Sequence, residues 1–188
     1  MGHFQHPQAL VDTSDIGEGT RVWAFAHVMS GAKVGRGCNI GEHCFIEDGA
    51  VVGDNVTVKN YVAVWRGVTI EDGAFIGPHA TLTNDRRPRS GRPDWTLVST
   101  RIGRGATIGA NATVVCGIEI GAYAFVGAGS VVTSSVPAHR LVYGNPARAH
   151  GYVCCCAEPL IMSAERGQCP ACGSRFQVDP QRGLVAEA

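Results

Sequence analysis

Aliphatic residues return at every sixth position along most of the chain, with polar or small residues between them. The series runs from Ile16 to Leu82, stops, and runs again from Ile102 to Val132. Small or β-branched residues form a second series four positions later. This period fits neither an α-helix nor an alternating strand. It predicts an all-β chain that turns a corner after every six residues, a parallel β-helix of hexapeptide repeats with about six coils.

Interruptions of the period divide the chain into four segments. The C-terminal segment is too small to hold a core without a metal, and its end, VDPQRGLVAEA, is expected to fray. The segments are a lead-in at 1–15, the β-helix at 16–137 with a loop inserted at 83–101, an exit segment at 138–151 and a cysteine-rich tail at 152–188.

Five of the eight cysteines lie in the tail. The spacings CxC at 154–156 and CPACG at 169–173 are typical of zinc knuckles, because four thiolates close a tetrahedral Zn²⁺ site. They predict a structural zinc site that leaves Cys155 spare and has no open position for catalysis. The alternative is a reduced ribbon without metal. The predicted ligands are Cys154, Cys156, Cys169 and Cys172.

Charge and hydropathy exclude several classes of partner. The formal net charge is zero and the pI is about 7.0, so the chain lacks the basic surface that nucleic acids or anionic membranes require. No apolar run is long enough to cross a bilayer. We therefore expect a cytoplasmic protein with neither nucleic acid nor membrane as a partner.

Residues one coil apart stack above one another in a β-helix, which makes the surface beneath the inserted loop aromatic and charged. One column places Asn84 above Arg66 and Asp48. Because Arg binds phosphate or carboxylate in bidentate fashion, the loop and the columns together predict a ligand site. Alternatively, the aromatics bury an interface between copies and the arginines pair with loop aspartates; the two interpretations are compatible. The aromatic column is His79, Tyr61, His43 and Phe25, and the loop arginines are Arg86, Arg87, Arg89 and Arg92.

Three motifs carry a family resemblance that covers nearly the whole chain. The exit segment VYGNPAR, 142–148, resembles the coenzyme A-dependent acetyltransferases built on hexapeptide repeats. RVWAFAHV, 21–28, and TNDRRPR, 83–89, resemble the bacterial nucleotide-sugar 3-N-acetyltransferases, especially those that act on UDP-2-acetamido-3-amino-2,3-dideoxyglucuronate. The resemblance implies a left-handed β-helix and a homotrimer with active sites between subunits. It also implies acetyl transfer from acetyl-CoA to the sugar 3-amino group, for surface polysaccharide biosynthesis.

The resemblance also implies residue roles. Asn84 would orient the reacting amine, and the general base would be His79 or Asp85, unless the departing CoA thiolate takes the proton. Arg66 departs from the family pattern, so it would either hold a uronate or indicate another sugar. The nucleotide sugar would contact Asn60, Tyr61, Trp65, Arg66, Arg86 and Arg89, and acetyl-CoA would contact the backbone at Ala110 and Ala128, with Asn145 and Arg148.

Three other functions are alternatives for this sequence. A dTDP-linked 3-amino-deoxyhexose is an alternative acceptor for the same reaction. A γ-class carbonic anhydrase needs three histidine ligands, and the expected pair spaced five apart is missing from the later coils. A non-enzymatic scaffold with a zinc-ribbon interaction module would not need the exit segment or the Gly-Ala corners at 109–110 and 127–128.

Overall fold

The computed structural model describes residues 2–91, 93–179 and 183–187. These residues form 25 β-strands, numbered β1 to β25 along the chain. In this part of the chain no helix is long and apolar enough to cross a membrane.

Short parallel strands, one for each hexapeptide, build the three faces of a β-helix. Neighbouring strands on a face are 18 residues apart, as in the pairing of Arg21 with Asn39. The first face contains β1 (Phe4–Gln5), β3 (Arg21–Val22), β6 (Asn39–Ile40), β9 (Thr57–Val58), β12 (Phe75–Ile76), β15 (Thr107–Ile108), β18 (Phe125–Val126) and β20 (Arg140–Gly144). The second contains β2 (Leu10–Val11), β4 (His27–Val28), β7 (Phe45–Ile46), β10 (Ala63–Val64), β13 (Thr81–Leu82), β16 (Thr113–Val114) and β19 (Val131–Val132). The third contains β5 (Lys33–Val34), β8 (Val51–Val52), β11 (Val68–Ile70), β14 (Thr100–Ile102) and β17 (Glu119–Ile120).

The inward side chains follow the six-residue period. Ile40, Val58 and Ile76 are fully buried on the first face, and the small residues Cys38 and Ala74 are buried at the second inward position. One large and one small side chain per hexapeptide fill the narrow interior, which favours close packing. The corners are equally tight. A Cβ atom added to Gly109 would lie 2.5 Å from the backbone nitrogen of Ala128, which is too close for any side chain, so this corner requires glycine. The hexapeptide prediction is confirmed.

The β-helix is longer than the sequence indicated. The first face has eight parallel strands, so about six coils was an underestimate. The lead-in adds one layer, because Phe4 N–H donates to Thr20 O at 2.8 Å and Leu10 N–H donates to Ala26 O at 2.9 Å. β20 adds another layer by pairing with β18. Backbone pairing at the ends of a stack does not need the hexapeptide motif, so the period alone missed both.

The second face divides into two sheets at Trp65. β2, β4, β7 and β10 form one sheet, and β13, β16 and β19 form the other. At the division the Trp65 indole Nε1–H donates to the backbone carbonyl of Leu82 at 2.8 Å. The Trp65 side chain thus occupies the Leu82 carbonyl, which would otherwise accept a backbone N–H in the pairing of β10 with β13.

The inserted loop leaves the second face after β13 and returns at β14. Val68 pairs with Thr100, so the register advances by 32 residues there instead of 18. Val98 N–H donates to Asn84 O at 3.1 Å, which joins the two ends of the loop. The guanidinium of Arg86 donates to Cys116 O at 2.9 Å and fixes the loop to the following coil.

The chain leaves the β-helix through an antiparallel hairpin and ends in a small sheet. The exit hairpin consists of β20 and β21 (Ala147–Tyr152). The tail sheet consists of β22 (Ile161–Ser163), β23 (Arg166–Gln168), β24 (Arg175–Asp179) and β25 (Gly183–Ala186). The expectation of a frayed end is wrong for 183–186, because β25 pairs with β24 and Leu184 is buried.

Candidate active site

Asn84 begins the inserted loop and lies above Arg66, as the column argument predicted. Its backbone carbonyl accepts the Val98 N–H, and its side-chain Nδ2 donates to Arg66 O in a long contact of 3.5 Å. That contact directs the amide nitrogen to the coil below. The Oδ1 atom is left as the acceptor that the side chain can offer to a ligand.

Arg66 is held by two carboxylates of the preceding coil. Its guanidinium is paired with the Asp48 carboxylate, and its Nε donates to Asp48 O at 3.2 Å. Its backbone N–H donates to Glu47 Oε2 at 2.7 Å. The positive charge beneath the loop is therefore compensated within the chain. Sequence reasoning placed Arg66 correctly but could not show this pairing, which depends on the rotamers.

The loop arginines have different surroundings. Arg86 is engaged with the Cys116 carbonyl, so its role here is to hold the loop. Asp85 Oδ1 accepts the backbone N–H of Arg87 at 2.8 Å and closes a local turn. Arg89 is exposed. Arg92 lies outside the described residues.

The predicted aromatic column is confirmed. The rings of Phe25, His43, Tyr61 and His79 stack in series, with centroids 4.9, 4.8 and 4.8 Å apart. All four residues are exposed and have φ between 57° and 63°. Such left-handed conformations are uncommon for bulky residues and cost about 1–3 kcal/mol each. The aromatic column therefore lies on the surface, and its four residues adopt a backbone conformation that is locally unfavourable.

A second group of rings lies on the adjacent face. Phe45 packs between His27, at 5.5 Å, and Trp65, at 5.7 Å. Trp65 also packs against the core. Asn60 is half-buried, and its backbone carbonyl accepts the N–H of His79 at 3.1 Å. Trp65 and Asn60 therefore help to build the coils as well as border the surface.

The candidate bases lie in different places. His79 precedes β13 and Asn84 follows it, so they occupy opposite corners of one face, about 16 Å apart along extended chain. One copy of the chain does not bring them together. Asp85 is next to Asn84, and its Oδ1 is occupied by the Arg87 N–H.

The two Gly-Ala corners expose backbone donors. Within the described residues, the N–H groups of Ala110 and Ala128 donate to no backbone carbonyl. Among the described residues the equivalent N–H of Asn60 likewise donates to no backbone carbonyl, so the geometry belongs to the coil in general. What distinguishes Ala110 and Ala128 is their position near the exit hairpin, one coil apart.

Asn145 and Arg148 lie at the exposed turn of the exit hairpin. The rings of Tyr143 and His150 stack across this hairpin with centroids 3.5 Å apart. A cleft of about 450 Å³ runs along its base, lined by Ser134, Arg140, Arg148 and Tyr152 among others. Sequence reasoning missed Arg140, because VPAHR has no periodic pattern to place it.

The four predicted tail cysteines converge. The Sγ atoms of Cys154 and Cys172 are 3.5 Å apart, those of Cys156 and Cys169 are 3.6 Å apart, and all four lie within 4.8 Å of one another. Four thiolates at about 2.3 Å from Zn²⁺ are about 3.8 Å from one another, so the cluster fits the ion. Cys155 is exposed and outside the group.

The electrostatics of the cluster favour a metal. A hydrogen bond with the Ser174 hydroxyl lowers the pKa of Cys172 to about 6, which makes this thiol a thiolate at neutral pH. Burial raises the pKa of Cys154, which disfavours its thiolate unless a cation compensates the charge. A cation at the centre resolves this conflict.

Sequence comparison identifies the repeat and one relative of nearly full length. The family model described as bacterial transferase hexapeptide (six repeats) matches residues 13–48, 49–84 and 99–134. The dTDP-3-amino-3,6-dideoxy-α-D-galactopyranose 3-N-acetyltransferase of Aneurinibacillus thermoaerophilus is 48% identical over 174 residues, covering 93% of this chain and 90% of that protein.

Solved structures share the fold. The acetyltransferase domain of PglB from Neisseria gonorrhoeae FA1090, solved also with acetyl coenzyme A, is 26% identical with a TM-score of 0.53 over 79% of this chain. WeeI from Acinetobacter baumannii AYE is 31% identical with a TM-score of 0.52 over 78% of this chain. The chain spans 57% of the length of each.

Proposed function

The chain belongs to the bacterial hexapeptide-repeat transferase family, and from this premise we propose that it transfers the acetyl group of acetyl-CoA to the 3-amino group of a dTDP-linked 3-amino-3,6-dideoxyhexose. The observation that carries the proposal is the 48% identity, over 93% of the chain, to an enzyme named for that reaction. The products are the 3-acetamido sugar and CoA.

Two considerations favour the dTDP sugar over the uronate to which the sequence motifs pointed. The acceptor named for the Aneurinibacillus relative is a 6-deoxy sugar, which has no carboxylate. The guanidinium of Arg66, the side chain considered for a uronate, is paired with Asp48. A uronate brought to this place would compete with an existing carboxylate, whereas a 6-deoxyhexose, which has no carboxylate of its own, would not.

The proposed mechanism needs an amine that is neutral and aimed at the thioester carbonyl. Asn84 Oδ1 accepts an N–H of the amine and carries no charge that would favour the ammonium form. The amine nitrogen attacks the carbonyl carbon, the C–S bond breaks, and CoA leaves as the thiolate. The proton lost by the amine passes to His79, Asp85 or that thiolate. His79 can serve only from a neighbouring copy, since it lies at the opposite corner from Asn84.

Acetyl-CoA is proposed to lie along the later coils. The free N–H groups of Ala110 and Ala128 would donate to the pantetheine amides, and Asn145 and Arg148 at the hairpin turn would contact the nucleotide. The nucleotide sugar would contact Asn60, Tyr61, Trp65 and the exposed Arg89. Arg86 would act by holding the loop.

We also propose a homotrimer with the active sites between subunits. The exposed aromatic column supports this. Phe25 and Tyr61 are each about half exposed to solvent, and exposed apolar surface of this kind marks interfaces. Sedimentation should give about three times the chain mass of 19.8 kDa. The chain mass itself would contradict the trimer.

The tail cluster is proposed to hold structural Zn²⁺ through Cys154, Cys156, Cys169 and Cys172. The ion would supply the cross-link that a segment of this size needs. It would take no part in acetyl transfer, because four thiolates leave no open position.

Thiol release from acetyl-CoA tests the reaction and the acceptor together. The acceptors are dTDP-3-amino-3,6-dideoxygalactose, UDP-2-acetamido-3-amino-2,3-dideoxyglucuronate and, as the matched control, a dTDP-hexose without an amine. Release with the first alone, with a product heavier by one acetyl group, is expected. Release with the uronate alone would retain the reaction and replace the acceptor. No release from any acceptor, together with no CoA binding, would favour a non-enzymatic scaffold.

A further inference from the structure

We infer that the four-cysteine tail positions the exit hairpin for acetyl-CoA, through a reciprocal pair of hydrogen bonds between His139 and Val153. The inference rests on the proposed function, since it concerns the acetyl donor of that reaction. It assigns a role to a segment that the transfer chemistry itself does not use.

The first link joins the cysteine cluster to the last coil. Val153, which precedes Cys154, donates its N–H to His139 O at 2.8 Å, and the His139 ring Nδ1 bonds to Val153 O at 2.9 Å. Burial lowers the pKa of His139, so the ring is neutral and Nδ1–H is the donor. One buried residue of the last coil thus holds the segment that leads from β21 to the first cysteine.

The second link is aromatic. The His139 ring stacks on Tyr123 of the β-helix and packs at a tilt of 59° against Phe176 of the tail sheet, with centroids 5.2 Å apart in both cases. Phe176 is 1% exposed and packs with Cys154, Leu160 and Cys169. His139 is therefore placed between the β-helix core and the small core around the cysteines.

The third link leads from His139 to the proposed donor site. Residue 140 begins β20, and Arg140 pairs with Tyr152 at the base of the exit hairpin, where its guanidinium lies 4.3 Å from the Tyr152 ring centroid. The cleft along this base has Arg140 and Arg148 on the hairpin, and Gly183 of the tail on another wall. An incoming polyphosphate would meet both arginines. Without the tail, one wall of this cleft and the support of Tyr152 are lost.

The hairpin retains its pairing with β18 when the tail is released, so a graded effect is expected rather than collapse. Holding the two arginines in place affects the affinity for acetyl-CoA. It does not affect the amino sugar, because the exit hairpin supplies none of the proposed contacts of the sugar. The signature is a rise in KM for acetyl-CoA with little change in kcat or in KM for the sugar.

The test compares Cys156→Ser with Cys155→Ser in the full chain. Both replace an exposed thiol, but only Cys156 belongs to the cluster. We expect Cys156→Ser to lose zinc and to raise both KM for acetyl-CoA and Kd for CoA about tenfold, the effect of a modest loss of binding energy. Cys155→Ser should retain the zinc content and both constants. Loss of zinc with unchanged KM and Kd would overturn the inference.

A second variant keeps the test decisive if Cys156→Ser does not fold. Asn tolerates the left-handed backbone of residue 139, where φ is 58°, so His139→Asn removes the ring without new strain. It should retain zinc and still raise KM for acetyl-CoA. Wild-type affinity in this variant would exclude His139 as the positioning residue. If the wild-type protein transfers no acetyl group, the proposed function fails. Kd for CoA in the variants still reports whether the four-cysteine tail positions the exit hairpin.

Discussion

In the β-helix each hexapeptide buries a large and a small side chain against equivalent residues of the neighbouring coils, whereas the tail buries a few side chains around four thiols. The first core runs from Val22 to Val142, and the second, among the described residues of the tail, has as its buried members Cys154, Leu160, Cys169, Phe176 and Leu184. A stack of equal coils distributes its stability among nearest neighbours. A small sheet must obtain stability from a ligand or from the body beside it. The two regions should therefore respond to different perturbations.

Metal removal should have the largest effect on stability, and this loss of stability should be confined to the tail. Structural Zn²⁺ in small domains contributes apparent binding energies of about 10–16 kcal/mol at neutral pH. Chelation should raise hydrogen exchange across 152–179 and leave the strands of the β-helix protected. Exchange that stays slow in the tail after complete zinc loss would contradict a metal-held core.

Ile76→Ala tests the other region. Ile76 is fully buried in the middle of the stack, and truncation of a buried isoleucine costs about 2–5 kcal/mol. Denaturant unfolding should show this loss while the zinc content stays normal. Val51→Ala is the control, because Val51 points outward and is 37% exposed; its effect should stay within about 0.5 kcal/mol. Equal effects of the two changes would contradict a periodic core.

Trp65→Phe should have a smaller effect on stability. It keeps an aromatic ring against Phe45 and removes the hydrogen bond to Leu82 O, which is worth about 1 kcal/mol. The Leu82 carbonyl could then accept a backbone N–H of the neighbouring coil, so the second face would become one sheet. Backbone amide shifts at 63–65 and 81–83 would detect this joining, and unchanged shifts would show that the indole does not keep the sheets apart.

Tyr61→Asn should change the stability least. Asn suits the left-handed backbone, where φ is 63°, and relief of the strain, about 1–3 kcal/mol at such a residue, is of the same size as the loss of two stacking contacts of about 0.5–1.5 kcal/mol each. The free energy of unfolding of the single chain should barely move, while KM for the amino sugar rises. A large fall in this free energy with an unchanged KM would make the aromatic column structural rather than functional.

The two regions also differ in how far their sequences predict them. In the β-helix, one period fixed both the core and the columns, so the stack of Phe25 to His79 and the placing of Asn84 over Arg66 followed from spacing alone. The additional layers at Phe4 and Leu10 did not, because terminal pairing uses backbone groups that every residue has. The pairing of Arg66 with Asp48 was also missed, since it depends on side-chain conformation.

In the tail, the cysteine spacing predicted which four thiols converge, because their chemistry restricts the choice. It did not predict β25 or the buried Leu184, which follow a polar stretch without periodicity. Nor did it predict the contact of Phe176 with His139, since the docking of two small cores leaves no repeat in the sequence.

Asn84→Ala tests the central claim most directly, that acetyl transfer takes place at the start of the inserted loop. The side chain is half-buried and the backbone contact of Asn84 with Val98 does not depend on it, so the fold and the zinc content should be retained. The account predicts a fall in kcat of about a hundredfold, the scale on which misplacement of a reacting group slows a reaction, with KM for acetyl-CoA little changed. Near-full turnover in an intact assembly would contradict it and move the reaction centre elsewhere on the β-helix.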